Sequence, residues 1–116
     1  MGTHEKLDVW KLSIDFVTHI YKITQSFPSE EKFGLTNQMR RAAVSIPSNI
    51  AEGAARKSDK ENIQFLYISL GSLSELETQL IISQNLDYCD SNEILSEIRT
   101  IKSKLINYIK YLKTLK

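Results

Sequence analysis

The sequence predicts an all-α fold, an antiparallel up-down-up-down four-helix bundle that self-associates, in a single domain spanning residues 1–116. Three observations carry this. Four successive segments repeat apolar residues at steps of three and four. The breaks between them are short and hold proline, glycine or helix-capping residues. No stretch alternates with the two-residue period of a strand, and no low-complexity tract or short repeat interrupts the pattern.

The first segment runs from Glu5 to Phe27 and stops at Pro28-Ser29. Val9, Leu12, Phe16, Ile20, Ile23 and Phe27 form one apolar stripe, and Trp10, Ile14, Val17 and Tyr21 form a second. At about 100° per residue the two leave only a narrow polar face around Asp8, Lys11, Asp15 and Lys22. That arc is wider than a bundle helix in a monomer needs, and excess apolar surface points to self-association. The competing reading wraps the helix completely within its own chain.

The second segment follows Phe33-Gly34 and runs from Thr36 to Arg56, with Pro47 in mid-pattern. An interior proline removes one backbone hydrogen bond and costs ~3 kcal/mol. Either the helix continues with a kink, or a new helix starts at Pro47 with Ser45 as its cap. The period runs straight through, which favours continuity: Met39, Ala42, Ala43, Ile46, Ile50 and Ala54 share one side. Gln38, Arg41, Ser45, Asn49, Glu52 and Arg56 share another.

Ser58-Asp59-Lys60-Glu61 has capping-box spacing and opens the third segment, which runs to Leu86 with Ile63, Leu66, Leu70, Leu73 and Leu80 as its seam. Asp90-Ser91-Asn92-Glu93 repeats that form before the fourth, whose seam is Ile94, Ile98, Ile101, Leu105, Tyr108 and Leu112.

Composition narrows the function. Hydrophobic content is 41%, charged content 25% and formal net charge +1, so no global field draws the chain to polyanions. No stretch approaches the ~18 apolar residues of a membrane span. One cysteine, Cys89, forbids an intrachain disulfide and suits a cytoplasmic setting. The start, Met1 to Lys6, lacks a secretory apolar run and a myristoylation signal.

Catalytic and metal-binding patterns are equally sparse. Neither histidine, His4 or His19, follows a glutamate at the spacing of a bundle di-metal site, and His19 is expected to be solvated. Cys89 lies in an acidic loop, which raises a thiol pKa. Ser29 to Lys32 has Ser-x-x-Lys spacing without a supporting triad. No glycine-rich phosphate loop is present. The expectation is no enzyme, no cofactor and no metal.

Two constellations remain. If the second and third helices fold back at Lys57-Ser58, the row Ser69, Ser72, Glu75 and Gln79 faces the polar side of the second helix. Arg40 or Arg41 then comes level with Glu75 or Glu77, and an ion pair would fix register or assembly. On the last helix, Arg99, Lys102, Lys110 and Lys113 line one flank, in a segment from Asp90 to Lys116 with six Lys or Arg against three Asp or Glu. Repeated around an oligomer, that flank suits phosphate backbones.

"MRRAAVSIPSNIAEGAAR" (Met39 to Arg56) followed by "FLYISLGSLSELETQL" (Phe65 to Leu80) resembles the bacterial proteins encoded by intervening sequences in 23S ribosomal RNA genes. "LDVWKLSIDFVTHIYKIT" with "FPSEEKFGLTNQ" matches the same pattern. The resemblance implies four-helix bundles closed into homopentamers with a central channel. Accessory proteins of diversity-generating retroelements are similar in fold, more basic, and partner a reverse transcriptase and nucleic acid.

The expected function is a non-catalytic cytoplasmic homo-oligomer, a scaffold for RNA, DNA or a nucleic-acid enzyme, touching it through Arg40, Arg41, Arg56, Arg99, Lys102, Lys110 and Lys113. The alternative is a purely structural or protein-interaction bundle without nucleic-acid binding. In it Arg41, Asn49, Glu52, Glu75 and Glu77 form a polar network that fixes assembly.

Overall fold

In a computed structural model the chain is described over residues 7–115; His4, the turn expected from Glu5, the start signals and Lys116 lie outside that range. It forms four α-helices: α1 (Asp8–Thr24), α2 (Leu35–Ala54), α3 (Asp59–Asn85) and α4 (Asn92–Lys113). A 3-10 turn over Ser29–Glu31 precedes α2, and no strand occurs among the described residues. Each helix packs on its neighbours in the chain and α4 returns to α1, so four faces enclose one core. Phe16, Ile20, Met39, Ile46, Ile50, Leu66, Leu73, Leu76, Leu80, Ile94, Ile98 and Leu105 are fully buried there. Burying side chains of this size stabilises by about 1.5–3 kcal/mol each, before entropy is counted.

The helix ends follow local chemistry. α1 stops at Thr24, short of Phe27, because Pro28 disfavours helical geometry in the residue before it. Phe27 stays buried in the following turn, its ring 5.2 Å from that of Tyr88. The Tyr88 hydroxyl donates to Glu31 at 2.9 Å and the Leu35 N–H donates to the same carboxylate at 3.1 Å. Glu31 therefore caps α2 and ties two loops together at one end of the bundle.

α2 runs through Pro47 as one helix. Side chains donate to the carbonyls of Ala42, Val44, Ser45 and Ile46 around the proline, from Ser45, Ser48, Asn49 and Ser69. The helix ends at Ala54 rather than Arg56. Ser58 caps α3 as its spacing predicts, accepting from the Glu61 N–H at 3.2 Å. The cap expected at Asp90 forms one residue earlier than in the first box, on Asn92 rather than Glu93. Asp90 accepts from the Asn92 N–H at 3.0 Å, while the Ser91 hydroxyl and N–H turn to the Gln84 side chain of α3.

The seams differ from the hydropathy pattern at particular positions. In α1 Ser13 and Thr24 are buried while Leu12 stays 37% exposed and Ile23 half-buried. Both hydroxyls donate to carbonyls of their own helix, Trp10 at 2.7 Å and Ile20 at 2.8 Å, so they enter the core satisfied. In α4 Ile109 takes the seam and Tyr108 is half-buried, its hydroxyl 3.5 Å from Asn62 Nδ2. α3 adds Leu76, together with Asn62, Ser69, Gln79 and Ser83, to the buried set.

His19 is not solvated as expected. Its Nδ1 lies 2.6 Å from Glu97 Oε2 and its Nε2 3.8 Å from Glu93 Oε1, because α4 closes over that edge of α1. Nor is the wide apolar arc of α1 wrapped within the chain: Ile14 and Tyr21 remain exposed.

Candidate functional site

The outer face of α2 carries three adjoining grooves. Between α1 and α2 lies an apolar one lined by Trp10, Ile14, Val17, Val44, Pro47 and Ala51. It meets at Val44 a cationic one formed by Tyr21, Asn37, Arg40, Arg41 and Ser45. Arg41 and Ser45 then border a polar groove with Gln38, Ala42 and Glu75, on the α3 side. Helical periodicity explains the sequence of surfaces: positions 44, 47 and 51 face α1's second stripe, while 38, 41 and 45 turn toward α3.

Arg40 is built into the fold. Its Nε donates to Thr24 Oγ1 at 2.8 Å and a terminal nitrogen to the Tyr21 carbonyl at 3.2 Å. The guanidinium also stacks 4.5 Å from the centre of the Tyr21 ring. These contacts place a cation at the C-terminal end of α1, where the helix dipole favours one. Arg40 acts as a staple between α1 and α2, and its side chain is spent on that contact.

The ion pair expected of Arg40 or Arg41 with Glu75 or Glu77 does not form. Glu77 reaches away from α2 to Lys102 of α4, at 3.1 Å, and Glu75 accepts from Gln79 of its own helix at 3.1 Å. Arg41 is exposed and has no carboxylate within 4.0 Å among the described residues. Asn49 donates to the Ser45 carbonyl at 2.8 Å, and Glu52 pairs with Arg56 at 2.7 Å. The five-residue polar network thus separates into contacts local to one helix or directed to α4. What joins α2 to α3 is smaller: Ser45 bonds Ser72, and Ser69 donates to the Ile46 carbonyl at 2.9 Å.

Apart from Arg40 and Arg41, which share one groove, the basic residues do not converge. Arg56 lies at the far end of α2, paired with Glu52 and stacked 4.8 Å from the Phe65 ring. Lys102 is neutralised by Glu77, and Lys113 donates to the Tyr67 hydroxyl at 3.1 Å. Arg99 and Lys110 stand exposed on α4, which is not a direct neighbour of α2. Cys89 is half-buried beside this architecture; burial first, and Asp90 second, push its thiol pKa up. Ser69 and Ser72 bond to α2 as their place in the row facing the second helix predicts, whereas Glu31 is the residue the sequence pattern signals least, since it works through Tyr88, 57 residues away.

An all-α four-helix protein with a grooved, partly apolar flank is the class these features define. Residues 5–108 match the family model described as 23S rRNA-intervening sequence protein, and the chain belongs to that family. It is similar, at 27% identity and a TM-score of 0.80, to a crystal structure from Bacteroides thetaiotaomicron VPI-5482 described as a protein with unknown function from the S23 ribosomal protein family. That likeness covers 88% of this chain and 95% of the other. No curated protein matches the sequence.

Proposed function

We propose that this chain is a non-catalytic, self-associating scaffold whose assembly face is the outer side of α1 and α2. The observation that carries the reading is the apolar groove between α1 and α2, in which Ile14 and Val44 are each 41% exposed. Such a surface on a 116-residue chain is stabilised by burial against a second copy. Five subunits around a channel is the stoichiometry the family resemblance favours. Within each subunit the helices run antiparallel, up-down-up-down. Contacts support that topology: Met39 meets Ser83 and Ile46 meets Ser69, while Glu77 meets Lys102 and Tyr67 meets Lys113. No described helix is long and apolar enough to cross a membrane, and the unpaired Cys89 suits the cytoplasm.

A protein partner fits the surface better than a polyanion, because Arg40, Arg56, Lys102 and Lys113 are already engaged within the chain. The nucleic-acid reading keeps one supporting observation, the exposed and unbonded Arg41, Arg99 and Lys110, which an oligomer would multiply.

Titration of the purified protein with labelled RNA and DNA duplexes across a salt series separates the two. Binding that weakens steeply with salt, and is lost in the double variant Arg99→Glu/Lys110→Glu, supports the nucleic-acid scaffold. An absence of binding at low salt leaves the protein scaffold.

A further inference from the structure

α1 and α4 meet through a cluster that the family reading does not use. His19 on α1 lies between Glu93 and Glu97, which stand one turn apart on α4. One ring nitrogen and one oxygen from each carboxylate lie within 4.8 Å of one another. The two carboxylates are like charges at i and i+4, an arrangement that opposes helix formation unless a cation joins it. Among the described residues no Lys or Arg nitrogen lies within 4.0 Å of either; His19 is their one basic neighbour at that distance.

We propose that His19, Glu93 and Glu97 form a divalent transition-metal site that clamps α1 to α4. One imidazole nitrogen with two carboxylate oxygens is a donor set for Zn²⁺ and its first-row neighbours, whereas Mg²⁺ and Ca²⁺ take oxygen ligands. Bond lengths near 2.0–2.1 Å place neighbouring donors roughly 3 Å apart. The 2.6 Å contact between His19 and Glu97 has only to open slightly to admit the ion. Glu93 supplies the remaining movement: its Oε1 faces the other ring nitrogen, Nε2, at 3.8 Å, and its side chain, 86% exposed, swings toward the Nδ1 side without disturbing the core. His19 and Glu97 are 29% and 37% exposed, so the ion enters from solvent, and water completes its coordination. The ion places a positive charge between the two carboxylates and joins the helices through three bonds.

The test uses the full chain, stripped with a chelator and then given Zn²⁺ alone, in a buffer that does not bind metal. Zn²⁺ in excess is expected to raise Tm by about 4 °C or more, and Mg²⁺ at the same concentration to leave it unchanged. Co²⁺ should give visible absorption bands that titrate to one ion per chain. His19→Asn, Glu97→Gln and Glu93→Gln should each abolish the Tm rise and the bands; the exposed Glu93 is the position least able to affect folding. His4→Asn and Cys89→Ser should keep both signals. No Tm rise in the parent protein, a response retained in any of the first three variants, or one lost in either of the last two, overturns the assignment.

Discussion

Gly53 and Gly71 offer the same chemical change at two helical positions with opposite surroundings. A Cβ at Gly53 would sit 2.5 Å from Asn62 Oδ1, 3.0 Å from the Asn62 carbonyl oxygen and 3.0 Å from Phe65 Cβ. The first of these is a side-chain atom that rotates away. The other two belong to the backbone and first side-chain carbon of α3, so the helices must separate where α2 turns into α3. Overpacking of this kind costs roughly 1–3 kcal/mol, while replacing a helical glycine by alanine returns about 1 kcal/mol. With two contacts at 3.0 Å to α3 that cannot rotate away, the middle of that range applies, and Gly53→Ala should destabilise by about 1 kcal/mol net. At Gly71 a Cβ meets nothing within 4 Å, and Gly71→Ala should stabilise by about 1 kcal/mol. Urea unfolding at one fixed protein concentration reads both as opposite shifts of the midpoint at constant slope. A Gly53→Ala protein as stable as the parent would refute the claim that glycine is required there for close helix approach.

Three further outcomes follow from particular contacts. Arg40→Ala removes the bonds to Thr24 and Tyr21 and the stacking on Tyr21, and should cost about 1–3 kcal/mol in the same unfolding assay; Arg41→Ala should cost under about 0.5 kcal/mol. Asp87 has φ of 62°, a left-handed conformation after α3, so Asp87→Gly should stabilise by up to ~1 kcal/mol, and destabilisation would contradict the backbone argument. The Cys89 thiol, held above its ordinary pKa by burial and then by Asp90, is mostly protonated at neutral pH. Its alkylation by iodoacetamide should be slower than that of a free thiol at pH 7 and keep rising beyond the pH at which the free thiol levels off; matching profiles would contradict this.

The parts of the fold legible in the sequence are those that depend on residues close together in the chain. Helical period, the Ser58–Glu61 cap and the stop before Pro28 are of this kind, and each appears where its local chemistry places it. Core membership was less legible at Ser13 and Thr24. Their hydroxyls are satisfied inside α1, which lets polar residues occupy the seam against their hydropathy. The candidate site was legible as composition but not as pairing. The sequence marks Arg40 and Glu77 as candidates for an ion pair, yet the register between helices takes Arg40 to Thr24 and Glu77 to Lys102. His19 and Glu97 are 78 residues apart, and only closure of α4 onto α1 brings them together.

The surplus apolar arc of α1 was visible as a pattern, and Ile14, Tyr21 and Val44 remain uncovered in the folded chain. Sedimentation equilibrium of the parent protein beside Ile14→Glu and Val44→Glu tests most directly whether that surface is an assembly face. Both side chains are already exposed in the single chain, so the charges should leave folding intact. The account predicts a parent mass that is a multiple of 13.3 kDa and a fall to 13.3 kDa in both variants, with helical content unchanged by circular dichroism. A parent protein that sediments as a monomer at tens of micromolar, or variants that keep the parent mass, would contradict it.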